Sequence, residues 1–299
     1  MSKIIEALEK AKREGILEST TVALEERGRH APADGSEGGK GPERRKRNGA
    51  PILREAVTLD PRAVQGVDSR IFALREPRSV VVEQYRSLRS RLERLNATTT
   101  AQVLAITSAV KGEGKSVTAV NLALVMAGNA NRDVLLVDAD FRRPNVHALL
   151  DLPLSPGLSD YLQGAASEED IVRRTPFFGL QVVTAGNAEG HPAELLASPE
   201  FAAFLAAARG RFDYVIVDTP PIHPISDVNF LVEFVDGVLM VIRAGKTLKH
   251  MVQQSAESLP PGKVLGTILN RAEEPGHGYS YKKGYYYYSS YEEAKPKQR

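Results

Sequence analysis

A doubly wound, mostly parallel α/β sheet is what this 299-residue sequence predicts, and three observations predict it. Six short β-branched and aliphatic runs alternate with helical stretches, a Gly-Lys-Ser turn joins the first run to a helix, and two of the later runs end in aspartate. Strands that are apolar throughout, rather than at alternate positions, are buried on both faces, and strands separated by helices pair in parallel. In such a sheet the ligand site lies at the carboxyl ends of the strands.

Taken in order, residues 1–20 carry Ile4, Ile5, Leu8 and Ala11 at helical spacing among Lys and Glu, a short amphipathic helix. A surface helix and a docking helix are both open. Residues 28–49 are Gly, Pro and charge with almost no apolar content, so 21–75 reads as a flexible linker. Its basic cluster Arg44, Arg45, Lys46 and Arg47 suits a solvated linker or contact with anionic lipid heads. Pattern returns in a folded domain over 76–275. Ser79 caps a helix from Val80 to Leu95 with Val81, Tyr85, Leu88 and Leu92 as its apolar stripe. Glu83, Arg86 and Arg89 recur beside that stripe, as intrahelical pairs worth a few tenths of a kcal/mol or as a contact between subunits. Strands follow at 103–107, 133–138, 180–184, 213–218, 238–243 and 264–270. Helices fall near 116–129, 145–151, 157–163, 168–173, 192–208, 226–234 and 247–258, the fourth opened by a Ser167/Asp170 capping box.

The first strand runs into Ala109-Val110-Lys111-Gly112-Glu113-Gly114-Lys115-Ser116 and then a helix. That is a phosphate-binding loop in its required context. Glycines let backbone N–H groups face phosphate oxygens, and the helix N-terminus adds its positive end. Lys115 would reach the β- and γ-phosphates, and Ser116 would ligate Mg²⁺. Ala109 stands where Gly is usual. The runs ending in Asp138-Ala139-Asp140 and in Asp218 open onto the same crevice, where carboxylates hold a metal or its waters, or accept a proton.

Seven of the ten tyrosines lie in one run, Tyr279, Tyr281, Tyr285, Tyr286, Tyr287, Tyr288 and Tyr291, within a tail over 276–299. Flanked by Gly, Ser and Lys with no alternating apolar partner, the run reads as mobile and open to phosphorylation; a low-complexity stacking segment is the plainer account. The tail carries five basic side chains against two acidic, a net +3. Two phosphotyrosines, at about −1.5 to −2 each, would cancel or reverse that charge.

Composition narrows the classes further. With 39 basic and 37 acidic residues no global field points to nucleic acid. The absence of Cys excludes disulfides and thiolate metal sites. The N-terminus lacks a signal-peptide core, and the apolar runs are strand-length. A soluble chain is expected, meeting a membrane only through a partner or a surface helix.

The order Glu83-x-x-Arg86-x-x-Arg89, Gly112-Glu113-Gly114-Lys115-Ser116, Asp138-x-Asp140-x-Arg142-Arg143-Pro144, Asp218-Thr219-Pro220-Pro221 and a tyrosine-rich end resembles the bacterial tyrosine kinases that regulate capsule and exopolysaccharide export. The likeness runs over about 76–291, and the first 20 residues also resemble stand-alone cytoplasmic autokinases of exopolysaccharide clusters. It implies a P-loop NTPase fold of the deviant-Walker, partition-ATPase-like type, with ATP and Mg²⁺ as cofactors. It implies phosphorylation of the tail between subunits of a ring, of which an octamer is one form, with Glu83, Arg86 and Arg89 between neighbours. It implies the cytoplasmic end of a transmembrane chain-length (co-polymerase) protein and a tyrosine phosphatase as partners, and a peripheral place at the inner face of the plasma membrane. Lys115, Asp138, Asp140 and Asp218 become catalytic, with Asp138 the base; Ser116, Asp138 and Asp218 hold the metal; and Lys111 through Val117, Arg243 and Asn270 line the nucleotide.

Phe141 replaces a common Leu, and His191 stands where Asn is usual before Pro192. His191, His147 and His223 read as surface or packing residues. The competing reading is a partition- or septum-type switch ATPase without kinase activity. Those proteins carry a Lys five positions before the loop Lys, where this sequence has Val110, with Lys111 one place late.

Overall fold

The computed structural model describes residues 22–24, 61–99, 101–129, 132–188, 190–224 and 227–272, with backbone alone at 22–24, 61 and 97–99. The helix expected over 1–20 and the tyrosines of 279–291 lie outside them. In chain order the elements open with β1 (Val22–Leu24), α1 (Phe72–Arg75), α2 (Val80–Thr99), β2 (Val103–Ser108), α3 (Lys115–Ala127) and β3 (Val134–Asp138). Next come α4 (Val146–Leu150), α5 (Leu158–Leu162), α6 (Glu168–Ile171), β4 (Arg173–Arg174), β5 (Gln181–Val183), α7 (Pro192–Leu196) and α8 (Pro199–Arg211). The chain closes with β6 (Tyr214–Asp218), α9 (Val228–Leu231), β7 (Gly237–Arg243), α10 (Lys249–Glu257) and β8 (Val264–Asn270).

The strands form one sheet in the order β1-β8-β7-β2-β6-β3-β5-β4. The inner pairings are parallel, and only the edge strands β1 and β4 run antiparallel. Because each central strand is apolar throughout, it supplies a core on both sides. Leu104 and Ile106 of β2, Leu136 of β3 and Ile216 of β6 join the core under α2, α3 and α4. Val103, Ala105, Leu135 and Val215, their neighbours along the strands, join the core under α5, α8 and α9. The period-2 alternation of a strand thus fills two layers.

Helix α3 is itself a core element, with all its residues buried except Lys115 and Val117. Its outer side is covered by α2, which contributes Val82, Tyr85, Leu88 and Leu92, each at most 5 % exposed. The stripe therefore runs through Val82 where the sequence suggested Val81, which is only partly buried. Ser79 caps α2 by accepting from Val82 N at 3.4 Å, and Ser167 and Asp170 make the expected capping box on α6.

Two expectations are corrected. The folded unit begins before residue 76: Val64, Val67, Ile71, Ala73 and Leu74 are buried in the core beside α3. Their three- and four-residue spacing was the signal, set among Pro, Gly and charge that read as linker. β1, also inside the expected linker, pairs with β8 at Val22↔Ile268 through Leu24↔Gly266. The helix expected over 192–208 is two helices, α7 and α8. Pro199 cannot continue a helix and pushes Ser198 out of the α region, where Ser198 Oγ caps α8 by accepting from Phe201 N at 3.1 Å.

One buried amide fixes the early segment to the helix of the phosphate loop. Asn121 of α3 accepts from Ala73 N at 3.0 Å and donates to the carbonyls of Arg70 at 3.1 Å and Val117 at 2.9 Å. Asn121→Ala leaves the buried Ala73 N–H and the part-buried Arg70 carbonyl without this partner, and we expect it to cost about 2–4 kcal/mol. Urea denaturation checks this, and a loss below 1 kcal/mol would mean water replaces the amide.

Candidate active site

Parallel pairing brings the acidic stations together. In strand register Asp138 of β3 lies opposite Asp218 of β6, and Asp218 opposite Ile106 of β2, three positions before the loop at 109–114. Ala139 N donates to the Asp218 carbonyl at 2.8 Å, so the register continues past the strand end. Two residues that are 80 positions apart are thereby neighbours at the mouth of one loop.

The loop needs its glycines where they stand. Gly112 and Gly114 have φ of +83° and +98°, a conformation that a side chain strains. A Cβ on Gly114 would also come within 2.1 Å of Asn270 Nδ2. Buried Ala109 tolerates the missing Gly: its carbonyl accepts from His223 N at 2.9 Å. Lys111 is exposed on the loop, and Val117 is half-buried on α3.

Lys115 reaches three groups: Asp140 Oδ2 at 2.6 Å, Ser116 Oγ at 3.2 Å and Asp218 Oδ1 at 3.7 Å. Burial opposes its charge, but the carboxylates of Asp218 and Asp140 outweigh burial and hold the ammonium above its ordinary value. Asp140 is tied twice, since its Oδ1 also accepts from Arg143 N at 3.1 Å.

Asp138 is fully buried, and burial, then the charge of Asp218, push it up to about 7 against the pull of backbone amides. Those amides are Asp140 N on Oδ1 at 3.1 Å, and Asn145 N and Val146 N on Oδ2, both at 3.0 Å. Asp138 therefore anchors the loop leading into α4, which sequence reading did not foresee. Of the roughly four acceptor positions of a carboxylate, one on Oδ1 stays open. Asp218 differs: both its oxygens are buried without a hydrogen-bond partner, and burial raises it to about 6 although Lys115 pulls it down.

A buried carboxylate with an ion pair but no hydrogen bond, beside a Ser hydroxyl, fits Mg²⁺ carried in with phosphates, because Mg²⁺ keeps waters and takes few protein ligands. Among the described residues no three His, Cys, Asp or Glu form a metal cage of their own. Asp138, with three amides on its oxygens, is the poorer metal ligand of the pair.

The other expected residues fall in three places. Arg243 and Asn270 are register partners at the ends of β7 and β8, and Asn270 Nδ2 donates to the Glu113 carbonyl at 2.8 Å. The Glu113 carboxylate is buried and bonded within the protein fabric. Glu83 and Arg86 pair with each other on α2, and Arg86 also donates to the Pro77 carbonyl at 3.1 Å. Arg89 instead donates to the Val125 carbonyl of α3 at 3.0 Å, a contact within the chain. His147 is held below its ordinary value by burial, and His191 precedes α7 as its N-cap. Asp227 was not foreseen: it is 2 % exposed and holds Arg142 through Nε at 2.5 Å and a second nitrogen at 3.2 Å, bracing the loop after Asp140. As they are 85 positions apart, only the fold reveals the pair.

A family model for the CobQ/CobB/MinD/ParA nucleotide-binding domain matches residues 104–290. The tyrosine-protein kinase YwqD of Bacillus subtilis is 38% identical over 218 residues, which cover 72% of this chain and 90% of that protein. The succinoglycan biosynthesis transport protein ExoP of Rhizobium meliloti is 35% identical over 202 residues, 66% of this chain and 26% of that one. Among solved structures, the kinase domain of the Escherichia coli tyrosine kinase ETK is similar with a TM-score of 0.64 and 30% identity, covering 71% of this chain and 84% of that chain.

The raised Asp218 sets a pH-dependent stability. Its folded value, about 6, lies above the ordinary 3.8, so stability is full below pH 4 and is lost as pH rises toward 6. Asp218→Asn removes that loss. We expect the variant without nucleotide to be more stable than the natural protein by roughly 2–3 kcal/mol at pH 8 and equal to it near pH 4. Denaturation at both pH values measures it, and a gap independent of pH would place the charge elsewhere.

Proposed function

The chain belongs to the CobQ/CobB/MinD/ParA nucleotide-binding family, among its bacterial tyrosine kinases, and from that premise we propose that it phosphorylates the tyrosines of its own 279–291 run, between subunits. It is a protein-tyrosine kinase, and capsule or exopolysaccharide synthesis is the process its relatives serve. The observation that carries the assignment of roles is the meeting of Asp138 and Asp218 in strand register around Lys115, with Asp218 ion-paired to Lys115 at 3.7 Å but without a hydrogen bond at either oxygen.

The triphosphate lies along the loop amides of 111–117, with Lys115 leaving Asp140 for the β- and γ-phosphates. Arg243 and Asn270 stand at the base end. Ser116 Oγ and, through water, Asp218 would hold Mg²⁺, which when bound neutralises charge developing on the phosphates. Asp138 takes the phenolic proton on its open Oδ1 position as the tyrosine oxygen bonds to the γ-phosphorus, and the bond to ADP breaks. A carboxylate raised to about 7 suits this task, since a sizeable fraction is ionised near neutral pH and the group is basic enough to accept the proton.

The described tyrosines support an acceptor elsewhere. Tyr85 and Tyr214 are buried at 5 % and 1 % exposure, and Tyr161 packs on Phe204 with ring centroids 5.7 Å apart. Phosphorylation of the tail would turn its net +3 negative, switching attraction between subunits of a ring to repulsion. A tyrosine phosphatase would reset the charge. ExoP carries a like domain in about a quarter of its length. This supports a membrane-borne co-polymerase as the activating partner, its cytoplasmic end holding this kinase at the membrane. Among the described residues no helix is long and apolar enough to cross a membrane.

Incubation with Mg-ATP should place phosphotyrosine between Tyr279 and Tyr291, with none on Lys115→Met. ATP turnover without phosphotyrosine, with the activator present, would favour the switch ATPase. When Lys115→Met is mixed with an active chain lacking the tail, the Lys115→Met tail should be labelled; an unlabelled tail rules out transfer between subunits. Arg86→Ala, which spares the Arg89 contact with α3, should lower the assembly mass in light scattering, and an unchanged mass would remove α2 from the ring interface.

A further inference from the structure

Glu113 poses an electrostatic problem. It lies inside the phosphate loop, where a carboxylate repels the triphosphate that the loop is built to hold. Yet it is only 2 % exposed, and its carboxylate is fully engaged. One oxygen accepts from Val110 N at 2.9 Å; the other accepts from Arg243 N at 3.3 Å and from the Thr247 hydroxyl. Arg243 ends β7, and Thr247 follows in the turn leading to α10, 134 residues beyond Glu113. The turn is closed on itself: Thr247 N donates to the Arg243 carbonyl at 3.1 Å, and Arg243 N also donates to Thr247 Oγ1 at 3.2 Å.

We propose that Glu113 is a positioning residue whose buried carboxylate pins the phosphate loop to the turn after β7, holding the loop amides in their phosphate-binding arrangement before nucleotide arrives. This rests on the nucleotide-site part of the function proposed above and names a role for a side chain that need not touch the nucleotide. Between β2 and α3 the loop has no ladder of its own to keep Gly112 and Gly114 at positive φ. Its ties are few: Ser108 Oγ to the Val110 carbonyl at 2.8 Å, His223 N to the Ala109 carbonyl at 2.9 Å, Asn270 Nδ2 to the Glu113 carbonyl at 2.8 Å, and the Glu113 carboxylate. The carboxylate supplies three of these bonds. It also carries a charge, which makes hydrogen bonds about twice as strong as those between neutral groups. A loop ordered in advance does not spend binding energy on ordering, so the staple appears as nucleotide affinity.

The geometry also joins the two ends of the nucleotide site. Arg243 and Asn270 are opposite each other on adjacent strands, and both bond to Glu113, one to its carboxylate and the other to its carbonyl. A shift of the β7 and β8 ends therefore moves the phosphate loop with them. Thr247 is the replaceable member, because among the described residues its hydroxyl is the one side-chain donor to this carboxylate and it is only half-buried.

The test uses the full chain as Glu113→Gln, Thr247→Val and Thr247→Ser. Amide hydrogen exchange across 110–116 is read without nucleotide, Mg-ATP affinity by calorimetry, and the denaturation midpoint alongside. Thr247→Val should exchange its loop amides faster and bind Mg-ATP about tenfold more weakly, about 1.4 kcal/mol, with its midpoint close to that of the natural chain. Glu113→Gln should change in the same direction, and Thr247→Ser, which keeps the hydroxyl, should retain natural affinity and exchange. Unchanged affinity in Thr247→Val, or a Thr247→Ser chain as weak as Thr247→Val, overturns the proposal. A midpoint that falls in step with affinity also overturns it, by showing a general packing role. Binding needs no phosphoryl transfer, so absence of phosphotyrosine would count against the kinase reading and leave this result standing.

Discussion

One ammonium among three carboxylates, shut in at the carboxyl ends of adjacent strands, is the constraint around which the molecule is organised. Lys115 meets Asp140 at 2.6 Å and Asp218 at 3.7 Å, while Asp138 lies opposite Asp218 in strand register. Burial disfavours the charged carboxylates and like charges nearby add to it, so Asp138 and Asp218 hold protons more tightly than free aspartates do. The cluster carries more negative charge than Lys115 balances. That imbalance is what a divalent cation arriving with a bound nucleotide would offset.

Holding such a cluster together needs a rigid frame, and the sheet provides it. Parallel pairing of β2, β6 and β3 fixes the strand ends, and α3, buried on nearly every side, fixes the start of the loop helix. Polar residues then lock the connecting segments. Asn121 holds the chain before α2 against α3, Asp138 gathers three amides of the loop that follows it, and Asp227 grips Arg142 from the far side. Each is a buried polar group with its partners in place, so each specifies one arrangement of backbone at the site.

Tyrosine is distributed unevenly between the folded domain and the end of the chain. Within the sheet and helices, burial pushes the Tyr85 hydroxyl up to about 12 and packs Tyr214 into the core. Neither is presented to a crevice. Tyr161 packs on Phe204, and the remaining seven are gathered in a basic run beyond the last strand, where added phosphate would change the sign of local charge.

By itself the sequence determined the sheet class, the loop and the two acidic stations, because these are written in local pattern: apolar runs of strand length, glycines before Lys115, an aspartate closing each of two runs. Local rules also foretold the Ser79 and Ser167 caps. The same rules mark Pro199 as the start of a second helix, whereas the core spacing of Val64, Val67, Ile71 and Leu74 is masked by polar neighbours. Only the tertiary structure decided what Glu113, Asp138, Asn121 and Asp227 do, since their partners come from elsewhere in the chain or from loop backbone whose path the sequence does not specify. Arg89 shows the same limit: its repeat with Glu83 and Arg86 was legible, but its bond to Val125 across a helix pair was not. Periodicity records which side of an element is buried. It does not record which atoms of another element will meet a buried polar group there, and in this protein those meetings arrange the site.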